Sequence, residues 1–116
     1  TKKEKAYKAA EIQKATLHAI HIPLQIMQNS LESMDLIKTL AMSGNPNSVS
    51  DAGVAATCAR SAVLGGYLNV MINIKDYNNE TDKIKIIKKA EKIKAKAIKK
   101  EDQILKKTMK IIQKPI

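Results

Sequence analysis

The chain has 116 residues, no Phe or Trp, three Tyr, one Cys and a net charge of +10. That length holds one domain at most, and the single Cys58 excludes an internal disulfide and fits a reducing, cytoplasmic setting. A core limited to Ile, Leu, Val, Met and Ala suits close helix packing and argues against a β-sandwich, which draws on aromatic and β-branched residues.

Residues 2–41 read as one long helix. Ala6, Ala10, Leu17, Ile20, Leu24, Met27, Leu31, Met34 and Ala41 recur at steps of three, four or seven, and Gln13 is the one polar interruption of that stripe before Lys38. Thr1 and Glu4 fit a capping box. Pro23 removes one backbone donor, which predicts a kink rather than a stop. At roughly 1.5 Å per residue the helix runs about 60 Å, so an elongated bundle is expected rather than a compact ball. The opening Thr1-Lys2-Lys3-Glu4 has no initiator Met and no apolar run of signal-peptide type, and reads as a processed or truncated start.

Residues 42–50 are dense in turn formers. Gly44 is suited to ending the first helix and Asn45-Pro46 to turning the chain. Ser48 with Asp51 makes a second candidate capping box, with Ser50 the alternative cap. From Ala52 to Ile74 the only charged residue is Arg60, and Ala and Gly dominate. The segment is long enough for a membrane span. Arg60, Ser61, Asn69 and Asn73, together with the mild apolarity of alanine, favour instead a buried central helix, and no membrane association is expected.

Asp76-Tyr77-Asn78-Asn79 is the next turn, and Asn79 with Asp82 caps a third helix. Ile86, Ala90, Ile93, Ala97, Ile104, Thr108 and Ile111 follow heptad spacing, and Pro115 is expected to end the helix. All of the net charge belongs to this segment: residues 83–116 carry thirteen Lys against Glu91, Glu101 and Asp102. Such a run reads first as a solvated helix face. Nucleic acid is not the expected partner, because no aromatics are interleaved for base stacking.

The expected fold is therefore all-α, an elongated up-down bundle of three long helices (about 2–41, 50–75 and 80–113) in a single helical domain over 1–116. A small helical chain of this kind is expected to complete its core with a partner subunit or with an N-terminal part of a larger domain.

The densest polar cluster runs from Gly44 to Gly53. It places amides, hydroxyls and one carboxylate at a helix N-terminus, where free backbone N–H groups favour an anion or a carbonyl oxygen. A well-capped turn uses the same residue types. Asn69 and Asn73 share a helix face. Buried unpaired, each amide costs roughly 1–3 kcal/mol, so they bond one another, a neighbouring helix or a polar cleft. His18 and His21 are three apart, but zinc needs three or four ligands, and no metal site is expected. Cys58 reads as a small core residue, since no base or flanking cation marks it as a nucleophile. No phosphate loop, dinucleotide fingerprint or serine elbow is present.

The run from Gly44 to Ala56, then Ala59-Arg60-Ser61-Ala62 and Leu68-Asn69-Val70-Met71-Ile72-Asn73-Ile74-Lys75, resembles the C-terminal half of the formiminotetrahydrofolate cyclodeaminase and methenyltetrahydrofolate cyclohydrolase family. Ile22-Pro23-Leu24 resembles the long helix before that loop, and the likeness spans roughly residues 15–78. The resemblance implies an all-helical homodimer acting on a tetrahydrofolate derivative as substrate, with no covalently bound cofactor. It implies release of ammonia with ring closure to 5,10-methenyltetrahydrofolate, or interconversion of the methenyl and 10-formyl forms. It places Asn45, Asn47, Ser48, Ser50 and Asp51 in the wall of the folate cleft, with Asn69 and Asn73 facing the same cleft. Asp51 is the one candidate offered for a catalytic role. The family's Gly-rich N-terminal motif and acid-bearing helix have no counterpart here, so its general acid is not assigned to any residue. An enzyme represented in part is thus one reading. A non-catalytic helical interaction module that keeps the scaffold is the other, and a basic nucleic-acid-binding protein is the weakest.

Overall fold

The computed structural model describes residues 1–114, and within them three helices follow one another: α1 (Lys2–Met42), α2 (Val49–Ile74) and α3 (Glu80–Ile112). They pack up-down-up into a rod of 77 × 20 × 17 Å. The caps form where the sequence places two of them. The Glu4 N–H donates to Thr1 Oγ1 at 3.1 Å while Glu4 accepts from the chain's amino group, and the Asp82 N–H donates to Asn79 Oδ1 at 3.1 Å. The expected stop at Pro115 lies outside the described residues. No helix among the described residues is long and apolar enough to cross a membrane.

The α1 stripe is buried from Ile20 to Ala41, and the helix runs unbroken through Pro23. Ala6 and Ala10, expected in the core, are exposed. The cause is length: α1 has 41 residues against 26 in α2, so its first turns project past the α2–α3 connection. Gln13 marks the crossing point. Its side-chain amide donates to Asp76 O at 3.0 Å, and its carbonyl accepts from the Asn78 N–H at 3.0 Å. The polar interruption in the stripe is thus a clamp on that connection.

α2 is not buried all round. With only two neighbours it keeps an open side, on which Val54, Cys58, Leu68 and Ile72 are exposed. Its small residues serve the closed sides. A Cβ on Gly66 would lie 2.7 Å from Met27 Cγ and 2.8 Å from Pro23 O, so only glycine lets α1 and α2 approach this closely.

The core falls into two clusters. The larger contains Ile20, Met27, Met34, Val63, Val70, Ile86 and Ile93 among others, and the smaller consists of Ala41, Ala52, Ala56 and Ile104. Ile37 packs against both. Between Ala97 and Ile104 the apolar stripe of α3 is interrupted, and there a polar belt crosses the bundle. Arg60 pairs with Glu101, Lys100 with Asp35, and Lys38 Nζ donates to Gln103 at 3.0 Å. Arg60, the lone charge of the Ala52–Ile74 run, is therefore neutralised from α3.

Candidate functional site

The connection between α1 and α2 closes one end of the rod. Gly44 takes the left-handed backbone (φ +72°), where a side chain would be strained, and so reverses the chain after α1. Asn45 ties the turn together: its side chain accepts from the Asn47 N–H at 3.0 Å, and its carbonyl accepts from the N–H groups of Ser48 (3.2 Å) and Val49 (3.1 Å). Ser48 holds the N-cap position, but the expected capping box does not form. Its ψ of −2° leaves the extended geometry of an N-cap, and its hydroxyl makes no cap bond. Asn45, Asn47, Ser48, Ser50 and Asp51 are all exposed. The Asp51 carboxylate sits in the first turn of α2, where the helix dipole favours negative charge.

This turn borders a cleft of about 670 Å³, lined by Gly44, Pro46 and Val49 on one side and Lys107, Ile111, Ile112 and Lys114 on the other. Its floor is apolar and its rim carries two ammonium groups. Ser50 borders a second, apolar groove of about 300 Å³ with Gly53, Leu105 and Thr108. Thr108 is buried and its hydroxyl has no partner among the described residues. The two lysines were not singled out by motif, yet a signal exists. Continuing Ile86 and Ile93 by sevens reaches Lys100 and Lys107, so the stripe turns cationic where it nears the turn.

Asn69 and Asn73 lie elsewhere. From Asp51 to Asn69 the helix rises about 27 Å, so within one subunit the two asparagines do not share the cleft of the turn. They line a separate groove of about 260 Å³ with Ala19, Ile22, Pro23 and Ile26. Asn69 is exposed, and Asn73 donates its side-chain amide to the Ala19 carbonyl at 3.2 Å. The pair thus bonds the neighbouring helix through Asn73.

His18 and His21 are exposed, and among the described residues no group of three or more His, Cys, Asp or Glu is placed to hold a metal ion. Cys58, expected in the core, is exposed because its step along α2 falls on the open side. A further polar group stands on the α2–α3 side. The Tyr67 hydroxyl donates to Glu91, and Lys94 Nζ lies 4.1 Å from the centre of the Tyr67 ring. Chiefly because of the Tyr67 bond, the Glu91 carboxyl is held below the usual range.

These features define an all-α bundle whose α1–α2 turn lends Gly44, Pro46 and Val49, but none of its amide, hydroxyl or carboxylate side chains, to the lining of a cleft shared with Lys107 and Lys114. A sequence model of the family described as formiminotransferase-cyclodeaminase matches residues 1–92. The chain is 36% identical to the methenyltetrahydrofolate cyclohydrolase of Methylorubrum extorquens over 97 residues, covering 84% of this chain and 47% of that protein. It is 32% identical to the formimidoyltransferase-cyclodeaminase of Mus musculus over 85 residues, covering 73% of this chain and 16% of that protein. The Gallus gallus protein of the same name is 37% identical over 82 residues, covering 69% of this chain and 15% of its own length. The chain belongs to the formiminotransferase-cyclodeaminase family, whose named relatives are folate one-carbon enzymes. It spans about half the length of the cyclohydrolase and less of the others. The family match stops at residue 92, so most of the lysine-rich part of α3 lies beyond it.

Proposed function

We propose that this chain supplies one wall of a tetrahydrofolate site, as the C-terminal part of a cytoplasmic, homodimeric methenyltetrahydrofolate cyclohydrolase or formiminotetrahydrofolate cyclodeaminase. The observation that carries this reading is that the α1–α2 turn contributes Pro46 and Val49 to a cleft of about 670 Å³. A folate presents a flat ring system and a carboxylate-bearing tail. Pro46, Val49, Ile111 and Ile112 suit the first, and Lys107 and Lys114 suit the second. The tetrahydrofolate derivative is substrate, and the chemistry needs no covalently bound cofactor.

In the cyclohydrolase direction, water adds to the cationic methenyl carbon and loses one proton, and the hydroxyl of that adduct then gives up its own proton as N5 takes one up and the carbon–N5 bond breaks, leaving the 10-formyl form and one net proton. Amide and hydroxyl donors orient the water and the developing oxyanion, the role we assign to Asn45, Asn47, Ser48 and Ser50. To Asp51, exposed at the helix start, we assign the acceptance of the water's proton. The acid that protonates the leaving nitrogen is assigned to no residue of this chain. Asn69 and Asn73 contribute to this cleft only if a second subunit brings them to it.

The test is titration of the chain with 5,10-methenyltetrahydrofolate, following heat of binding and the decay of its absorbance. Lys107→Ala and Asn45→Ala are expected to weaken binding by about tenfold or more, on the order of 1.4 kcal/mol each, with helix content unchanged. Unchanged affinity in folded variants would remove the turn and its cleft from the folate site. Binding without absorbance decay would favour the second reading, a non-catalytic helical scaffold.

A further inference from the structure

The outer face of α3 is a ladder of lysines. Steps of four and three from Lys85 to Lys110 meet a lysine at every stop but one, Gln103, and each of those lysines is exposed. The ladder is turned away from the buried stripe of Ile86, Ala90, Ile93, Ala97 and Ile104 on the same helix. At 1.5 Å per residue it runs about 38 Å, with a rung roughly every 5 Å, along a rod 77 Å long. Most of it lies beyond residue 92, where the family match stops.

Its charge is not balanced within the chain. Lys83, Lys94 and Lys100, which lie off the ladder, meet the carboxylates of Glu80, Glu91 and Asp35. On the ladder only Lys106 does so among the described residues, with Asp102. Lysines three and four apart repel one another and weaken the helix that carries them. A face that serves only solubility intersperses both signs, and this one does not. Midway along it Lys96, Lys99, Lys100 and Gln103 border a hollow of about 280 Å³. The Lys38 ammonium of α1 reaches Gln103 there at 3.0 Å, adding one more positive charge.

The side-chain types select among anions. Protein interfaces are depleted of lysine and centre on apolar anchors, and no apolar side chain stands on the ladder, which argues against a protein partner or another part of a longer chain. Nucleic-acid surfaces add aromatic rings for stacking or arginine forks for phosphates, and the ladder has neither. A straight row also meets a winding phosphate backbone only where the two cross. A bilayer surface is flat, its negative headgroups move to meet each ammonium, and point charges on an ordered helix suffice to hold it.

We propose that the α3 ladder seats the rod lengthwise on a membrane surface rich in anionic phospholipids, held by charge and without insertion. The contact is peripheral, in keeping with the absence among the described residues of any helix apolar enough to cross a bilayer. Each lysine brought to such a surface strengthens partition by about fivefold at low salt.

Cosedimentation of the full chain with vesicles of phosphatidylglycerol and phosphatidylcholine in equal parts tests this. The chain is expected in the vesicle pellet at low salt and in the supernatant with phosphatidylcholine alone. It should be released as salt nears about 1 M, where the screening length falls to roughly 3 Å. Lys92→Gln with Lys96→Gln should lower the partition coefficient by about tenfold or more. Lys5→Gln with Lys8→Gln removes the same charge from exposed positions of α1 and should change it little. Circular dichroism should show both pairs of variants helical. Three results would overturn the proposal: no pelleting with the anionic vesicles, equal losses from the two pairs, or an oligonucleotide that strips the chain from the vesicles at equal concentration of negative charge.

Discussion

Asn73 donates its side-chain amide to the backbone carbonyl of Ala19, the one carbonyl of α1 that Pro23 deprives of its usual donor four residues on. A motif residue of α2 thus replaces the hydrogen bond that proline removes from α1. The exchange explains how a proline sits in the middle of a 41-residue helix without ending it.

The bond should show as coupling. Asn73→Ala is expected to cost about 0.5–1.5 kcal/mol in urea unfolding. In a Pro23→Ala background, where residue 23 regains its N–H, the same change should cost clearly less. Equal costs in both backgrounds would mean that the amide does not serve the orphaned carbonyl.

Adjacent glycines should respond with opposite signs. Gly66→Ala forces a Cβ to within 2.8 Å of a backbone oxygen and should destabilise by about 1–3 kcal/mol. Gly65→Ala, whose Cβ meets nothing within 4 Å, should stabilise by about 0.5–1 kcal/mol. Thermal unfolding of the two variants side by side checks both.

Much of this architecture was legible in advance. Three helices, two of the caps and the heptad stripes of α1 and α3 follow from apolar period and cap residues, because those signals are local. What escaped depends on how long each helix is relative to its neighbours. Ala6 and Ala10 keep the period yet project beyond α2, and Cys58 lies on a helix with only two neighbours. The turn from Asn45 to Asp51 was legible as a polar cluster at a helix start. Its opposite wall, Lys107 and Lys114, was not, because it comes from some sixty residues further along the chain. The separation of Asn69 and Asn73 from that turn was legible too, because a continuous helix over 50–75 already sets about 27 Å between Asp51 and Asn69.

The Arg60–Glu101 pair should reveal what holds the polar belt. Both side chains are largely shielded, with exposures of 34% and 15%. Glu101→Ala leaves Arg60 unpaired on an apolar helix and should cost about 1–3 kcal/mol. The double variant Arg60→Leu with Glu101→Leu should recover most of that loss, because a matched apolar pair often replaces a shielded ion pair without penalty. Urea midpoints of the three proteins decide it.

Acid should weaken the Tyr67–Glu91–Lys94 group. Glu91 is held down first by the Tyr67 hydroxyl bond and then by Lys94, while burial opposes the shift. A carboxyl lower in the folded state contributes stability above its unfolded value and loses it as pH falls through the folded one. Lys94, raised first by its bond to Glu91, contributes below its unfolded value and loses that contribution as pH rises through the folded one. Stability should therefore plateau at neutral pH and fall toward both extremes, and Tyr67→Phe should shallow the acid limb of the urea midpoint against pH.

The belt of charged and amide side chains also divides the rod into unequal cooperative units. Beyond it, toward Gly44, the enclosed side chains are three alanines, one isoleucine, Val49 and Thr108, a thin filling beside the methionines, leucines and valines of the other half. Native-state hydrogen exchange should find amides near Ala52 and Ala56 opening with smaller free energies than those near Val63 and Val70. The end of the molecule that carries the Asn-rich turn would then breathe independently, adjusting to whatever it holds while the distant half stays locked.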